Sequence, residues 1–445
     1  MAGDEFFAGV EGAIPFEGPE SGNPLAFRWY EAGRVVGGST MAEQLRFSVA
    51  YWHSFAADGA DMFGSGTWDR PWTGAAVADP IAAAEQKMDA AFEFVSKLGA
   101  PFVCFHDRDI APEGDTFAES AANLDRMADR MGGLLEETGI RVLWGTANLF
   151  SHPRYQAGAA TNPDPEVFAH AAAQVAHCLE VTKRLGGANY VLWGGREGYD
   201  TLLNTDIGRE LDQLGRFLSM AVEHKHAIGF EGPLLIEPKP FEPMKHQYDH
   251  DVAAVAGFLE RYDLTGDVLV NIEVNHATLA GFDVAHEVAT AAALGVFGSL
   301  DANAGDDRLG WDVDRFPVSL EVMSIMMLEV LRAGGFHTGG LNFDAKLRRQ
   351  STDRNDLFHA HIGAMDLMAH ALVVAHALLQ SPELSELRDG RYADWSGQLG
   401  TSISRGSRSM ADLHRRALEG AAPQRRSGRQ EQAENLVARI IDTAR

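Results

Sequence analysis

Four acidic residues close four consecutive short apolar runs. Glu237 ends LLIE (234–237), Glu273 ends LVNIE (269–273), Asp301 ends FGSLD (297–301) and Asp344 ends LNFD (341–344). A hydrophobic core has no use for a carboxylate at each of these points. Brought together, the acids repel one another and must be protonated, paired with cations or bound to metal. Near them in the chain stand His276 in NHATLAG and the pair Asp312 and Asp314 in GWDVDRFP. Singly, each has a plain explanation. Asp301 caps a helix, Glu237 pairs with Lys239, Asp312 and Asp314 are loop acids, and His276 is a hydrogen-bonded loop histidine. Together they are six carboxylates and one imidazole, an oxygen-rich ligand set suited to hard divalent ions such as Mg²⁺ or Mn²⁺, with Co²⁺ tolerated. The set contains no cysteine, which argues against structural zinc. Six carboxylates exceed what one Mg²⁺ takes, since that ion keeps several waters, so two ions are expected. Glu273 lies between the others in the chain and is a candidate bridge.

The elements that must position these acids alternate. Short strands are predicted at Phe47–Trp52, Phe102–His106, Val142–Thr146, Tyr190–Trp193, Leu234–Glu237, Leu269–Glu273, Phe297–Asp301 and Leu341–Asp344, with amphipathic helix patterns between them. Eight strand–helix units predict an α/β fold, a (β/α)8 TIM barrel. Each unit spans roughly 42 residues, against the ~31 of a plain barrel, so long βα loops are expected. An open doubly wound sheet usually begins with a glycine-rich phosphate loop, and AYWHSFAADGADMFG (50–64) supplies none. In a barrel the active site forms at the carboxyl ends of the strands. There the sequence places Trp52, His106, Trp193 and the four acids.

The chain of 445 residues is 45% hydrophobic and 23% charged, the composition of a soluble globular protein rather than a disordered one. Its net charge of −25 repels nucleic-acid phosphates and anionic lipids and suits the collection of divalent cations. No nucleic-acid partner is expected. Cys104 and Cys178 sit in apolar contexts and read as buried thiols in a reducing compartment. No uninterrupted apolar run approaches ~18 residues, and the N-terminus lacks a basic segment followed by an apolar one. Neither a membrane span nor a signal peptide is expected, and the cytoplasm is the expected location. After Asp344 comes a helical stretch. From Thr401 onward nine arginines face five acids, a local charge of +4 on a body carrying −29. A basic helical arm that clasps a neighbouring subunit is expected; the alternative is a loosely held, solvated tail.

The segments FHDRD (105–109), WGGREGYDTLLNTD (193–206), IEPKPFEPMKHQYD (236–249), NIEVNHATLAGFDVAHE (271–287), GSLDANAGDDRLGWDVDRFP (298–317) and GGLNFDAKLRRQSTD (339–353) resemble those of xylose isomerases, in particular the longer form with an N-terminal extension. The likeness runs from about residue 5 to 385. It implies a catalytic barrel over 1–385, of which 1–45 is the extension, and a C-terminal helical arm over 386–445 for subunit contacts. It implies one metal site from Glu237, Glu273, Asp301 and Asp344, and a second from Glu273, His276, Asp312 and Asp314. His106 would assist opening of the cyclic sugar, and Asp109 would hold its tautomer. Lys239 would donate to the carbonyl oxygen that gains charge. Trp52, Phe150 and Trp193 would form an apolar wall over the substrate carbons, and Phe63 would reach into the site of an adjacent subunit. The family suggests a homotetramer and interconversion of D-xylose with D-xylulose, with D-glucose and D-fructose as further substrates. A base must lie within reach of the proton that it takes, and tryptophan and phenylalanine cannot serve. The resemblance therefore implies a metal-assisted 1,2-hydride shift.

Three other readings compete. A metal-dependent phosphodiester hydrolase on a similar barrel would lean on several histidines and a basic surface, and this set has one histidine. A non-catalytic sugar-binding barrel would not need Lys239, His106 and the ligands all together. A related isomerase of another aldose would keep the same set.

Overall fold

The computed structural model describes residues 5–73 and 77–444. Residues 1–4 of the expected extension and Arg445 of the expected arm lie outside the described residues.

Eight parallel strands close into a barrel in chain order: β1 (Phe47–Ala50), β2 (Phe102–His106), β3 (Arg141–Thr146), β4 (Asn189–Trp193), β5 (Leu234–Glu237), β6 (Val268–Glu273), β7 (Phe297–Asp301) and β8 (Leu341–Phe343). β8 pairs with β1, Leu341 facing Phe47, and completes the circle. A long helix follows each strand: α1 (Pro80–Leu98), α2 (Phe117–Thr138), α3 (Pro165–Arg184), α4 (Ile207–Ile228), α5 (Val252–Arg261), α6 (Val284–Leu294), α7 (Leu320–Arg332) and α8 (Asp356–Leu379). The (β/α)8 barrel is thus the fold. Local sequence explains the helix limits. Asp79 accepts from the Ile81 N–H at 3.0 Å, and Pro80 opens α1 where its missing donor costs nothing. Gly99 closes that helix at φ +77°, a left-handed position that favours glycine. Thr116 and Glu119 form a reciprocal capping box at the start of α2.

Two predicted strands end early. The first was expected to run to Trp52, but β1 stops at Ala50 and Trp52–Ala56 forms a π-helical turn closed by Ala57 N–H to the Trp52 carbonyl at 2.8 Å. β8 is three residues long, and its pairing with β1 runs out at Phe343 opposite Val49. Without a ladder partner the chain winds at Tyr51, and Asp344 follows β8 rather than ending it.

The N-terminal segment packs under the barrel. Tyr30 meets Phe47 at the start of β1 with ring centroids 5.0 Å apart, and Phe7 lies against Phe94 of α1 and Phe358 of α8. α8 is long and apolar enough, by length and composition, to cross a bilayer, yet 56% of its apolar window is buried inside the body. It behaves as a core helix, with Phe358 and His361 against Phe94. Cys104 and Cys178 are both buried free thiols. Past α8, helices at Pro382–Tyr392, Gln398–Ser404, Met410–Glu419 and Gln430–Thr443 form a largely exposed arm. Its first helix packs Leu384 against the core, and its last helix returns to the body with Val437, Ile440 and Ile441.

Candidate metal centre

β5, β6 and β7 each end on an acid, and adjacent register places Glu273 beside Asp301 and Glu237 beside Trp193. Asp344 follows β8 directly. Glu237, Glu273, Asp301 and Asp344 are all buried, and each offers an oxygen within 4.8 Å of the others. The loop after β7 supplies the rest. Ala304 and Arg315 form an antiparallel bridge, with Ala304 N–H donating to the Arg315 carbonyl at 2.7 Å. This folds GWDVDRFP back over the barrel mouth. Asp314 takes φ +41° there, a left-handed backbone that a non-glycine residue adopts at some cost. Glu273, Asp312 and Asp314 make a second group with oxygens within 4.8 Å. The helical turn Val274–Leu279 carries His276, whose Nε2 stands 3.2 Å from Glu273 Oε2 and 3.1 Å from Asp312 Oδ2. Glu273 belongs to both groups.

The charge balance here is unusual. Burial, then the neighbouring Asp301 and Asp344, push Glu237 well above the ordinary carboxylate range. Burial, with Asp312 and Asp314, does the same to Glu273. Asp301 is raised to about 7 by burial and by Asp344. Burial also presses on Asp312, but His276 and Lys239 outweigh it and hold that acid well below the usual range. Lys239, Lys346 and a His53 raised to about 9 by Asp344 and Asp314 against its burial are the cations nearby. They leave half of the six acids uncompensated, and a seven-donor set of oxygens and one imidazole nitrogen fits two hard divalent ions.

Ion uptake must deprotonate the raised acids, so it is expected to release protons between pH 6 and 8 and to tighten as pH rises through about 7, the value at which Asp301 titrates. Calorimetric titration with MgCl₂ in two buffers of different protonation enthalpy measures the release. Identical heats in both would contradict it.

Of the remaining predicted residues, Trp52, His106, Phe150, Trp193 and Lys239 line one cavity of about 190 Å³ at the same mouth. His106 ends β2, and its Nδ1 sits 2.7 Å from Asp109 Oδ2, leaving Nε2 toward the cavity. Trp52, His106, Phe150 and Trp193 follow one another in edge contact, with centroids 4.6, 5.5 and 4.5 Å apart. Trp52 is more than apolar surface, for its indole N–H donates to Asp344 Oδ1 at 2.9 Å. Lys239 is 4% exposed and does not pair with Glu237, the plain salt bridge that strand parity allows. β5 ends at Glu237 and the chain turns, Lys239 N–H bonding the Asp249 carbonyl at 3.0 Å. Nζ therefore reaches Asp312 Oδ2 at 2.7 Å and Glu242 Oε2 at 3.4 Å. Phe63 is 89% exposed and lies outside the cavity of its own chain.

Several residues at this centre are not apparent from the sequence pattern. His53 Nε2 contacts Asp344 Oδ1 at 2.8 Å and Asp314 Oδ2 at 3.3 Å. Only the π-turn after β1 aims it there. Trp144, Thr146 and Val191 also line the cavity, and buried asparagines contact the acids from below.

Comparison with known proteins points to one family. Residues 388–441 match the family described as the XylA2 C-terminal domain. The chain is 56% identical over 437 residues to a xylose isomerase of Pectobacterium carotovorum, covering 98% of this chain and 99% of that one. It is 58% identical over 430 residues to a xylose isomerase of Burkholderia vietnamiensis, covering 96% and 97%. Among solved structures, an L-ribulose 3-epimerase overlays with a TM-score of 0.51 at 15% identity, covering 76% of this chain and 99% of that one, a likeness of fold alone.

Proposed function

Because the chain belongs to the xylose isomerase family, whose members are aldose–ketose isomerases, we propose that it interconverts D-xylose and D-xylulose with two divalent ions held at the barrel mouth. The observation that carries this reading is Glu273, a buried acid common to two ligand groups and facing a cavity walled by aromatic rings. Glu237, Glu273, Asp301 and Asp344 hold one ion; Glu273, His276, Asp312 and Asp314 hold the other. When bound, such ions polarise the sugar's carbonyl and hydroxyl oxygens and lower the pKa of a coordinated water. Mg²⁺ is the expected ion, with Mn²⁺ or Co²⁺ as substitutes.

The protein's own groups do the rest. Asp109 fixes His106 in one tautomer through Nδ1, so Nε2 is free to move a proton at the ring oxygen or the anomeric hydroxyl of the closed sugar. Lys239, charged across the working pH range because Asp312 and Glu273 outweigh its burial, donates to the carbonyl oxygen as that oxygen gains charge. Trp52, Phe150 and Trp193 cover the carbons between which hydrogen moves and exclude water from them. Their rings offer no base, which favours transfer of hydride from C2 to C1 over proton abstraction. The experiment is isotopic. Deuterium on C2 of D-xylose is expected on C1 of D-xylulose without loss to solvent. Full washout would mean proton abstraction by one of the polar side chains that line the cavity.

D-glucose and D-fructose, which carry the same C1–C2 carbonyl and hydroxyl, are proposed as further substrates. Phe63, exposed on its own chain, is proposed to complete the cavity of a neighbouring subunit in a homotetramer. In the same assembly the arm over 386–445, beyond the catalytic barrel of 1–385 and its 1–45 extension, would make the subunit contacts. Location in the cytoplasm completes the reading.

A further inference from the structure

Beneath the acids lies a layer of side-chain amides. Asn271 Nδ2 donates to Asp301 Oδ2 at 2.7 Å and to Glu237 Oε2 at 3.1 Å. Asn342 Nδ2 donates to Asp301 Oδ1 at 2.8 Å. Asn275 Nδ2 donates to Asp312 Oδ1. Asn303, with no exposed surface, does most. Its Nδ2 donates to Glu273 Oε1 at 2.8 Å and to the Asp344 carbonyl at 2.9 Å, with a longer contact to Asp314 Oδ1 at 3.3 Å. Its Oδ1 accepts from the Asn275 N–H at 2.9 Å. Four of the six carboxylates thus receive an amide hydrogen, and Asp314 shares one through the longer contact.

We infer that Asn303, seconded by Asn275, is the positioning residue that joins the two ion sites, holding the shared Glu273 and both loop acids in place as ligands. The inference rests on the two-ion reading above. A carboxylate has about four lone-pair sites, so one amide hydrogen fixes its rotation and leaves sites for an ion. A lysine or arginine at position 303 would fix it too, but would cancel the negative charge that draws a dication. A water would keep the charge but not the geometry. A neutral amide does both, and only its nitrogen has hydrogens to offer an anion. Asn303 is the natural linchpin because it touches Glu273, common to both groups, and Asp314, a loop acid that His53 and Lys346 hold from the other side. Through Asn275 it also steadies Asp312 and the turn that carries His276. Outer-shell groups of this kind typically set metal affinity by 10- to 100-fold.

The test is calorimetric titration of the metal-stripped, full-length protein with MnCl₂. The parent is expected to take up two ions. Asn303→Ala is expected to weaken uptake about 10- to 100-fold at one or both sites, with far-UV circular dichroism unchanged. Asn303→Ser, which keeps a short O–H donor, should recover part of the loss. With Co²⁺ as the probe, the visible absorption of the Asn303→Ala protein should shift, since the ligand geometry changes; a purely structural role would leave it alone. Two ions bound by Asn303→Ala within twofold of the parent affinity would overturn the inference while leaving the two-ion reading intact. Fewer than two ions in the parent would overturn both. Should Asn303→Ala fail to fold, Asn275→Ala decides the matter. It removes the hydrogen on Asp312 but keeps the backbone N–H, and unchanged affinity there would defeat the proposal.

Discussion

Removing divalent ions with EDTA is expected to bring xylose isomerisation below detection, and added Mg²⁺ or Mn²⁺ to restore it. The magnitude follows from the electrostatics. In the metal-free protein Glu237, Glu273 and Asp301 carry raised pKa values, so the acids meant to grip the substrate's oxygens through the ions are partly protonated and face one another. Lys239 alone cannot polarise both the carbonyl and the neighbouring hydroxyl. Stability should respond as well, with a definite sign. A carboxyl whose folded pKa is raised stabilises the fold below its unfolded value and loses that contribution as pH rises through the folded one. The metal-free protein should therefore weaken as pH rises from about 4 through about 7 on account of Asp301, with Glu237 and Glu273 acting in the same direction, and ions should reverse the loss. Saturating two sites at a hundred times each dissociation constant adds roughly 5 kcal/mol, or about 5 °C in Tm for a chain of this length. Differential scanning fluorimetry at pH 7.5, with EDTA and with excess Mg²⁺, checks this. Full turnover in protein shown by elemental analysis to be metal-free would defeat the two-ion assignment outright.

The acids were legible because a barrel writes them at fixed places. A short apolar strand that ends on a carboxylate has that carboxylate at the mouth, and Glu237, Glu273 and Asp301 stand at their strand ends as expected. Strand limits were legible within a residue or two, since buried parallel strands read as continuous apolar runs. What escaped the pattern depends on where pairing stops. His53 reaches Asp344 only because β8 is too short to carry β1 past Ala50. The partner of Lys239 was open because residues two apart on a strand share a face, and only the turn after β5 sends the ammonium to Asp312 instead of Glu237. The asparagines carried a signal that composition hides. Asn271 precedes Glu273 by two, Asn303 follows Asp301 by two and Asn342 precedes Asp344 by two, the same parity that puts each amide on the face of an acid. Once the strands are placed, N-x-E, D-x-N and N-x-D at three successive strand ends mark an amide layer under the ligands.

Lys239→Ala is expected to cut kcat by at least about 10²- to 10³-fold, the cost of losing a donor aimed at an oxygen that gains charge, with a smaller change in KM. The structure adds a qualification that sequence parity did not suggest. Lys239 is buried and bonded to Asp312 at 2.7 Å, and removing one partner of a buried ion pair typically costs about 3–5 kcal/mol. Asp312 keeps His276 and Asn275 as neighbours, so the loss should fall at the lower end of that range and appear mainly in metal-free protein. The Lys239 pKa is raised, so the stability that it contributes is fully present below its unfolded value near 10.5 and is lost only at higher pH. The variant should therefore be weaker than the parent across the whole working range, without a pH midpoint of its own. Lys239→Met, which keeps most of the stem but drops the ammonium that lies 5.3 Å over the Trp193 ring, separates packing from chemistry. Both variants should bind two ions and lose turnover alike. A methionine variant that retains kcat within tenfold of the parent would reassign carbonyl polarisation to the ions alone and leave Lys239 as the keeper of Asp312.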